Sequence, residues 1–153
     1  MISKLYFKID IDAPKEKVWK ALWSDATYPE WTRVFSEGSK AISDWKEGSK
    51  ITFLNKDGDG MHSIIEKKVE NFQMIFRHIG MVIKGKEQGE DDEQSEWENA
   101  RERYFLIEHN GVTELTVELD SIDEYKQYFN DTFPAALESL NEIVIKHPEL
   151  IER

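Results

Sequence analysis

Near its C-terminus the chain carries an apolar stripe that demands a large complementary surface. Between Asp123 and His147, residues Tyr125, Phe129, Phe133, Ala136, Leu140, Ile143 and Val144 recur at spacings of three and four. That is the period of a helix with one broad apolar face. Such a stripe must be buried against another element, and the preceding segments read as strands, so the partner is a sheet. Pro134 removes an interior hydrogen bond and is expected to kink this helix or divide it in two. His147-Pro148 ends it.

The N-terminal segment alternates. Leu5, Phe7, Ile9 and Ile11 interleave with Lys8, Asp10 and Asp12, which is the period of a half-buried strand. Pro14 suits the first position of a following helix, where its missing N–H costs nothing. Val18 and Leu22 then share one helical face, with Trp19 and Ala21 beside them. The "SDATYPEW" stretch predicts a second short helix or turn. From residue 39 onward, turn signals separate apolar runs at 50–55, 61–69, 72–83, 102–109 and 112–120.

Asn110-Gly111 is the strongest hairpin signal among them. A two-residue turn there sets Leu106 opposite Leu115 and Tyr104 opposite Val117, with all four on one face. A turn at Glu70-Asn71 likewise sets Met74, Phe76 and His78 on the same face as Ser63 and Ile65. The order is strand, helix, about six antiparallel strands, long helix: an α+β chain.

A length of 153 residues suits a single domain over 1–153, large enough to bury roughly two thirds of its unfolded surface. Cysteine is absent, which excludes disulfides, thiolate nucleophiles and thiolate-bound zinc. The formal net charge of −11 repels phosphate backbones and anionic headgroups, so neither nucleic acid nor a membrane surface is an expected partner. No apolar run approaches a membrane span, and the first residues read as a strand rather than a leader. Cytoplasm is the expected location, and the Asn130 glycosylation motif is then idle.

Candidate chemistry is sparse. Residues 55–66 place Asn55, Asp57 and Asp59, a glycine and Glu66 nearly as a calcium-binding helix–loop–helix would. Strand-like flanks and the Asp-Gly clustering favour a hairpin turn. Residues 87–98 carry seven carboxylates and no basic residue. They read as a solvated loop, as a docking patch for a basic partner, or as a divalent-ion site. Trp97 is expected to anchor the end of that loop against the fold. Four histidines at 62, 78, 109 and 147 lack metal-binding spacing. His78, on an inward face near Ser63, reads either as a polar group orienting a ligand or acting in acid–base chemistry, or as a structural core histidine. Tyr104 carries the same two readings. Nucleophile, P-loop and dinucleotide motifs do not occur.

Several stretches together look familiar. The pattern F-x-I-x-I-x-A-P-x-x-x-V-W-x-A-L at 7–22, "WKEGS" at 45–49, "NGVTELTV" at 110–117 and "YFNDTFPAALESL" at 128–140 resemble the START-like (SRPBCC, Bet v 1-like) superfamily. The most similar branch is that of homologues of the activator of the ninety-kilodalton heat-shock chaperone's ATPase. The resemblance implies a helix-grip fold: a curved antiparallel sheet of six to seven strands wrapped around the long C-terminal helix, with two short helices after the first strand. It also implies a cavity between sheet and helix for an apolar or amphipathic small molecule.

The residues expected to line that cavity are Trp31, Phe53, Ser63, Ile65, Met74, Phe76, His78, Tyr104, Leu106, Leu115, Val117, Tyr125, Phe129, Phe133, Ala136 and Leu140. No catalytic residue, metal site or cofactor is expected. Two rival readings accompany small-molecule binding. One is a chaperone-regulating interaction module that docks a basic partner through the acidic 87–98 loop and through Trp31 or Trp45. The other is a cyclase- or aromatase-like enzyme resting on His78 and Tyr104.

Overall fold

The structure is a computed structural model and describes residues 2–88 and 97–151. Eight strands form one antiparallel sheet: β1 (Ile2–Ile11), β2 (Lys40–Ile42), β3 (Lys50–Leu54), β4 (Gly60–Val69), β5 (Gln73–Ile83), β6 (Lys86–Glu87), β7 (Arg101–His109) and β8 (Val112–Ile122). Their order is β1-β8-β7-β5-β4-β3-β2, with the two-residue β6 added on β5. Among the described residues, four α-helices are bounded, α1 (Lys15–Trp23), α2 (Tyr28–Trp31), α3 (Lys126–Lys146) and α4 (Pro148–Ile151), with a 3-10 turn at Asp123–Tyr125 leading into α3. This is the helix-grip architecture, with eight strands among the described residues where six to seven were expected.

The hairpin signals set the register. Asn110 and Gly111 take φ values of 53° and 82°, as a tight turn with two left-handed positions requires. Leu106 then pairs with Leu115 and Tyr104 with Val117, as the alternation predicts. Across β4 and β5, Ser63 pairs with His78 and Ile65 with Phe76. Register shifts at His62/Ser63 and Ile65/Lys67 interrupt this ladder, and bulges of this kind bend a strand pair and increase its twist.

Helix α1 begins one residue later than expected, because Pro14 is its N-cap rather than its first residue. The Lys15 N–H donates to the Glu108 carboxylate of β7 across 2.8 Å, which pins the helix start to the sheet. The α1–α2 connection is tied down by the Trp31 indole donating to the Leu22 carbonyl (3.0 Å) and the Thr27 hydroxyl donating to the Ala21 carbonyl (2.6 Å).

Helix α3 runs unbroken through Pro134, against the expectation of a split. Pro134 and Asn130, whose carbonyl loses its ladder partner, both lie on the exposed face, where an orphaned group is open to solvent. The helix ends at Lys146 with His147 as its C-cap, after which α4 forms and buries Ile151 in the core.

The apolar stripe of α3 divides in two. Phe133, Ala136, Leu137, Leu140, Ile143 and Val144 are buried in the main core. Tyr125, at 40% exposure, and the half-buried Phe129 leave it. The N-terminal part of the stripe is therefore only partly covered by packed side chains.

Candidate functional site

Beneath Tyr125 and Phe129 lies an open-mouthed cavity of about 710 Å³, bordered by residues of α2, the first half of α3 and strands β3, β4, β5, β7 and β8. Small-molecule sites fall in the range of ~300–1,000 Å³. Its wall is mostly aromatic and aliphatic: Trp31, Phe53, Met81, Leu119, Phe129 and Phe133 all border it.

Trp23 explains why the space stops where it does. Its ring stands edge-on to Phe76 (5.3 Å between centroids) and to Tyr104 (4.9 Å), and leans on Trp45 (5.8 Å). One large indole thus fills the gap between sheet and helix on one side of Tyr104 and leaves it open on the other. Seven of the expected lining residues border the cavity: Trp31, Phe53, His78, Tyr104, Tyr125, Phe129 and Phe133. Nine do not: Ser63, Ile65, Met74, Phe76, Leu106, Leu115, Val117, Ala136 and Leu140 are buried off the cavity wall.

Four polar side chains run as a chain from the sealed interior to the cavity. The Ser63 Oγ lies 2.7 Å from His78 Nδ1. His78 Nε2 lies 3.5 Å from Glu102 Oε1, within Coulombic reach though long for a direct hydrogen bond. The Tyr104 hydroxyl donates to Glu102 Oε2 across 2.5 Å. An ionised carboxylate only accepts, so the tautomer with its proton on Nε2 suits this arrangement, and Nδ1 then accepts from the Ser63 hydroxyl.

Exposure shows which end is the working end. Ser63 has none, His78 has 5%, and the Glu102 side chain has 21%. The serine–histidine–carboxylate order is thus inverted relative to a hydrolase, because the serine sits where no substrate reaches it. His78, Glu102 and Tyr104 all border the cavity, and Glu102 is more exposed than His78.

Two phenols share the cavity wall with that carboxylate. Burial, and then the Glu102 charge, push the Tyr104 hydroxyl well above the ordinary phenol range. Tyr28 on α2 is shifted the same way for the same reasons. Both remain protonated donors. Tyr28 makes no side-chain hydrogen bond among the described residues, and it borders the cavity. The arginines of β7 point to the opposite face, where Arg101 clasps Glu66 (2.7 and 2.9 Å) and Arg103 clasps Asp120 (3.1 and 3.3 Å). The guanidinium of Arg101 holds the Glu66 carboxyl below its usual range.

Glu102 and Tyr28 were missed in the sequence. The period of two in β7 places Glu102 on the inward face with Tyr104 and Leu106, so a signal for it existed. The expected docking aromatics are corrected: Trp31 is 1% exposed and Trp45 is half-buried against Trp23. Most of the acidic segment, 89–96, lies outside the described residues. Trp97 packs at its end against Tyr125 (5.7 Å) and Phe129 (6.5 Å), the anchoring role expected of it.

The calcium-like loop is a turn. The Asn55 Oδ1 accepts from the amides of Asp57 (2.9 Å) and Asp59 (3.1 Å), and the Asp59 Oδ1 accepts from the amide of Lys84 (2.8 Å). No cluster of metal-ligating side chains occurs among the described residues, and no described helix is long and apolar enough to cross a membrane.

A family model described as "Activator of Hsp90 ATPase homolog 1-like protein" matches residues 12–144. No curated protein matches the chain in sequence. Among solved structures, the Aha1 dimer from Colwellia psychrerythraea aligns with a TM-score of 0.71 at 18% identity, covering 93% of this chain and 96% of that one. CalU16 from Micromonospora echinospora aligns at 0.66 and 15% identity, covering 97% and 80%. ChR145 from Cytophaga hutchinsonii aligns at 0.66 and 22% identity, covering 94% and 93%. At these identities the likeness is one of fold.

Proposed function

The chain belongs to the family of Activator of Hsp90 ATPase homolog 1-like proteins, and we propose that it holds an apolar or amphipathic small molecule between sheet and C-terminal helix. The observation that carries this reading is the cavity of about 710 Å³ into which the N-terminal half of the α3 stripe faces. A stripe that continues past the packed core exposes apolar area that a ligand would cover. Each methylene withdrawn from water contributes about 0.8 kcal/mol, and ordering and association costs offset part of the sum. Phe53, Phe129 and Phe133 supply the apolar wall, and Tyr28 and Glu102 supply the orienting groups.

The reading is tested with N-phenylnaphthylamine, a neutral apolar fluorophore. Saturable, one-to-one enhancement of its emission is expected, and it should weaken in a Val82→Phe variant that fills the cavity wall. Emission that does not saturate, or that is indifferent to Val82→Phe in a folded variant, contradicts it.

The family description favours a second reading, in which the chain docks a partner protein. Its acidic residues would then meet a basic surface, and capture of the partner should weaken as salt rises. A partner retained equally at low and high salt would count against the charged surface as its basis.

A further inference from the structure

Among the described residues, Glu102 is the charged side chain set deepest in the cavity wall. The other charged groups bordering the cavity among the described residues are Lys40, which is exposed, and Asp59, whose Oδ1 is occupied by the Lys84 amide. The groups facing Glu102 are His78 from β5 and Tyr104 from its own strand, with Tyr28 on α2 close enough to feel its charge. Among the described residues no lysine or arginine forms an ion pair with it, because the neighbouring Arg101 and Arg103 are committed on the far face of the sheet.

A half-sealed carboxylate without a permanent cation is incompletely compensated. Its hydrogen-bond donors fix its direction and still leave acceptor capacity, since two oxygens offer about four lone-pair sites. Around it stand aromatic faces: Phe53 lies 6.4 Å from both Tyr28 and His78, ring centre to ring centre. Aromatic faces attract cations as well as apolar bodies. The Tyr28 oxygen also has free lone pairs for a donor.

We infer that the cavity selects ligands carrying a cationic amine on an apolar or aromatic body, with the ammonium seated on Glu102. The inference rests on the cavity being a ligand site, as proposed above, and adds the charge of the ligand's head. The net charge of −11 acts in the same direction, drawing cations toward the protein.

The test compares two probes of one shape, naphthylmethylamine and naphthylmethanol, by calorimetric titration at low salt and neutral pH. The wild-type chain should bind the amine tighter by about tenfold or more, the scale of a hydrogen bond to a charged group. Glu102→Gln, which keeps an acceptor for Tyr104, should bring the ratio of the two affinities close to one. Equal or stronger binding of the alcohol by wild type overturns the inference while leaving the cavity reading standing. So does an amine preference that survives in Glu102→Gln. Failure of wild type to bind either probe overturns both readings together. The wild-type comparison decides the case even if the variant does not fold.

Discussion

The Tyr104 hydroxyl donates to the Glu102 carboxylate across 2.5 Å, from a residue two positions along the same strand. Residues i and i+2 of a strand share a face, so β7 itself places donor and acceptor side by side at the cavity wall. The bond is charge-assisted and half-sealed from water, and removing its donor should be costly. Tyr104→Phe is expected to lower stability by about 1.5–3 kcal/mol, read as the shift in urea midpoint at constant slope. A loss below a few tenths would mean that the carboxylate does not depend on this partner.

Trp23 sets the boundary between packed core and cavity. Trp23→Ala should cost about 3–5 kcal/mol and open the cavity toward Phe76. N-phenylnaphthylamine titration of the variant reads the second effect, as binding of a second probe molecule or of bulkier analogues. Unchanged binding capacity in a folded Trp23→Ala chain would show that neighbouring side chains collapse into the gap.

His62 on β4 is buried, and its Nε2 has no hydrogen-bond partner among the described residues. Burial lowers its pKa, assisted by Lys50 and opposed by Glu87 3.5 Å away. A depressed folded value means that the unfolded chain binds the proton more readily. The stability contributed by neutral His62 is therefore complete above the unfolded value of about 6.5 and is lost as pH falls from there toward the lower folded value. Denaturant titrations between pH 7 and 5 should show stability declining, and a His62→Gln variant should decline less. Parallel pH profiles for the two chains would remove His62 from the account.

Two glycines should answer differently to alanine. A Cβ on Gly60 would sit 1.8 Å from the Phe53 carbonyl oxygen, so the β3–β4 pair must separate there. Gly111, at φ 82°, has open space around it and would bear only the left-handed backbone cost of about 1–2 kcal/mol. Gly60→Ala should thus be the more destabilising of the two in thermal unfolding. The reverse order would contradict the packing at that hairpin.

The Asn55–Glu66 segment should not bind calcium at micromolar concentration, because Asn55 and Asp59 already spend side-chain oxygens on backbone amides. A calorimetric titration giving heat with a micromolar midpoint would overturn the turn assignment.

What could be read from the chain alone follows from which signals are local. Asn110-Gly111 fixed one register, and alternation then placed Tyr104, Leu106, Leu115 and Val117 on one face. The helical spacing of the C-terminal stripe located α3. Glu102 belonged to the same alternation, but carboxylates are so abundant here that an inward one passed for a surface residue. Which buried aromatics touch empty space was not legible. Phe76 and Phe53 share chemistry and inward direction, and only the bulk of Trp23 puts one in the core and the other at the cavity. Pro134 does not divide α3, and both it and Asn130, whose carbonyl it leaves unpaired, lie on the exposed face.

The most direct measurement is to locate a bound apolar molecule by intermolecular nuclear Overhauser effects from N-phenylnaphthylamine in its complex with the protein. The account predicts cross-peaks to Phe53, Phe133 and the Trp31 ring, all on the cavity wall. Cross-peaks confined to exposed residues such as Tyr6 or Phe72, with none to the wall, would contradict it.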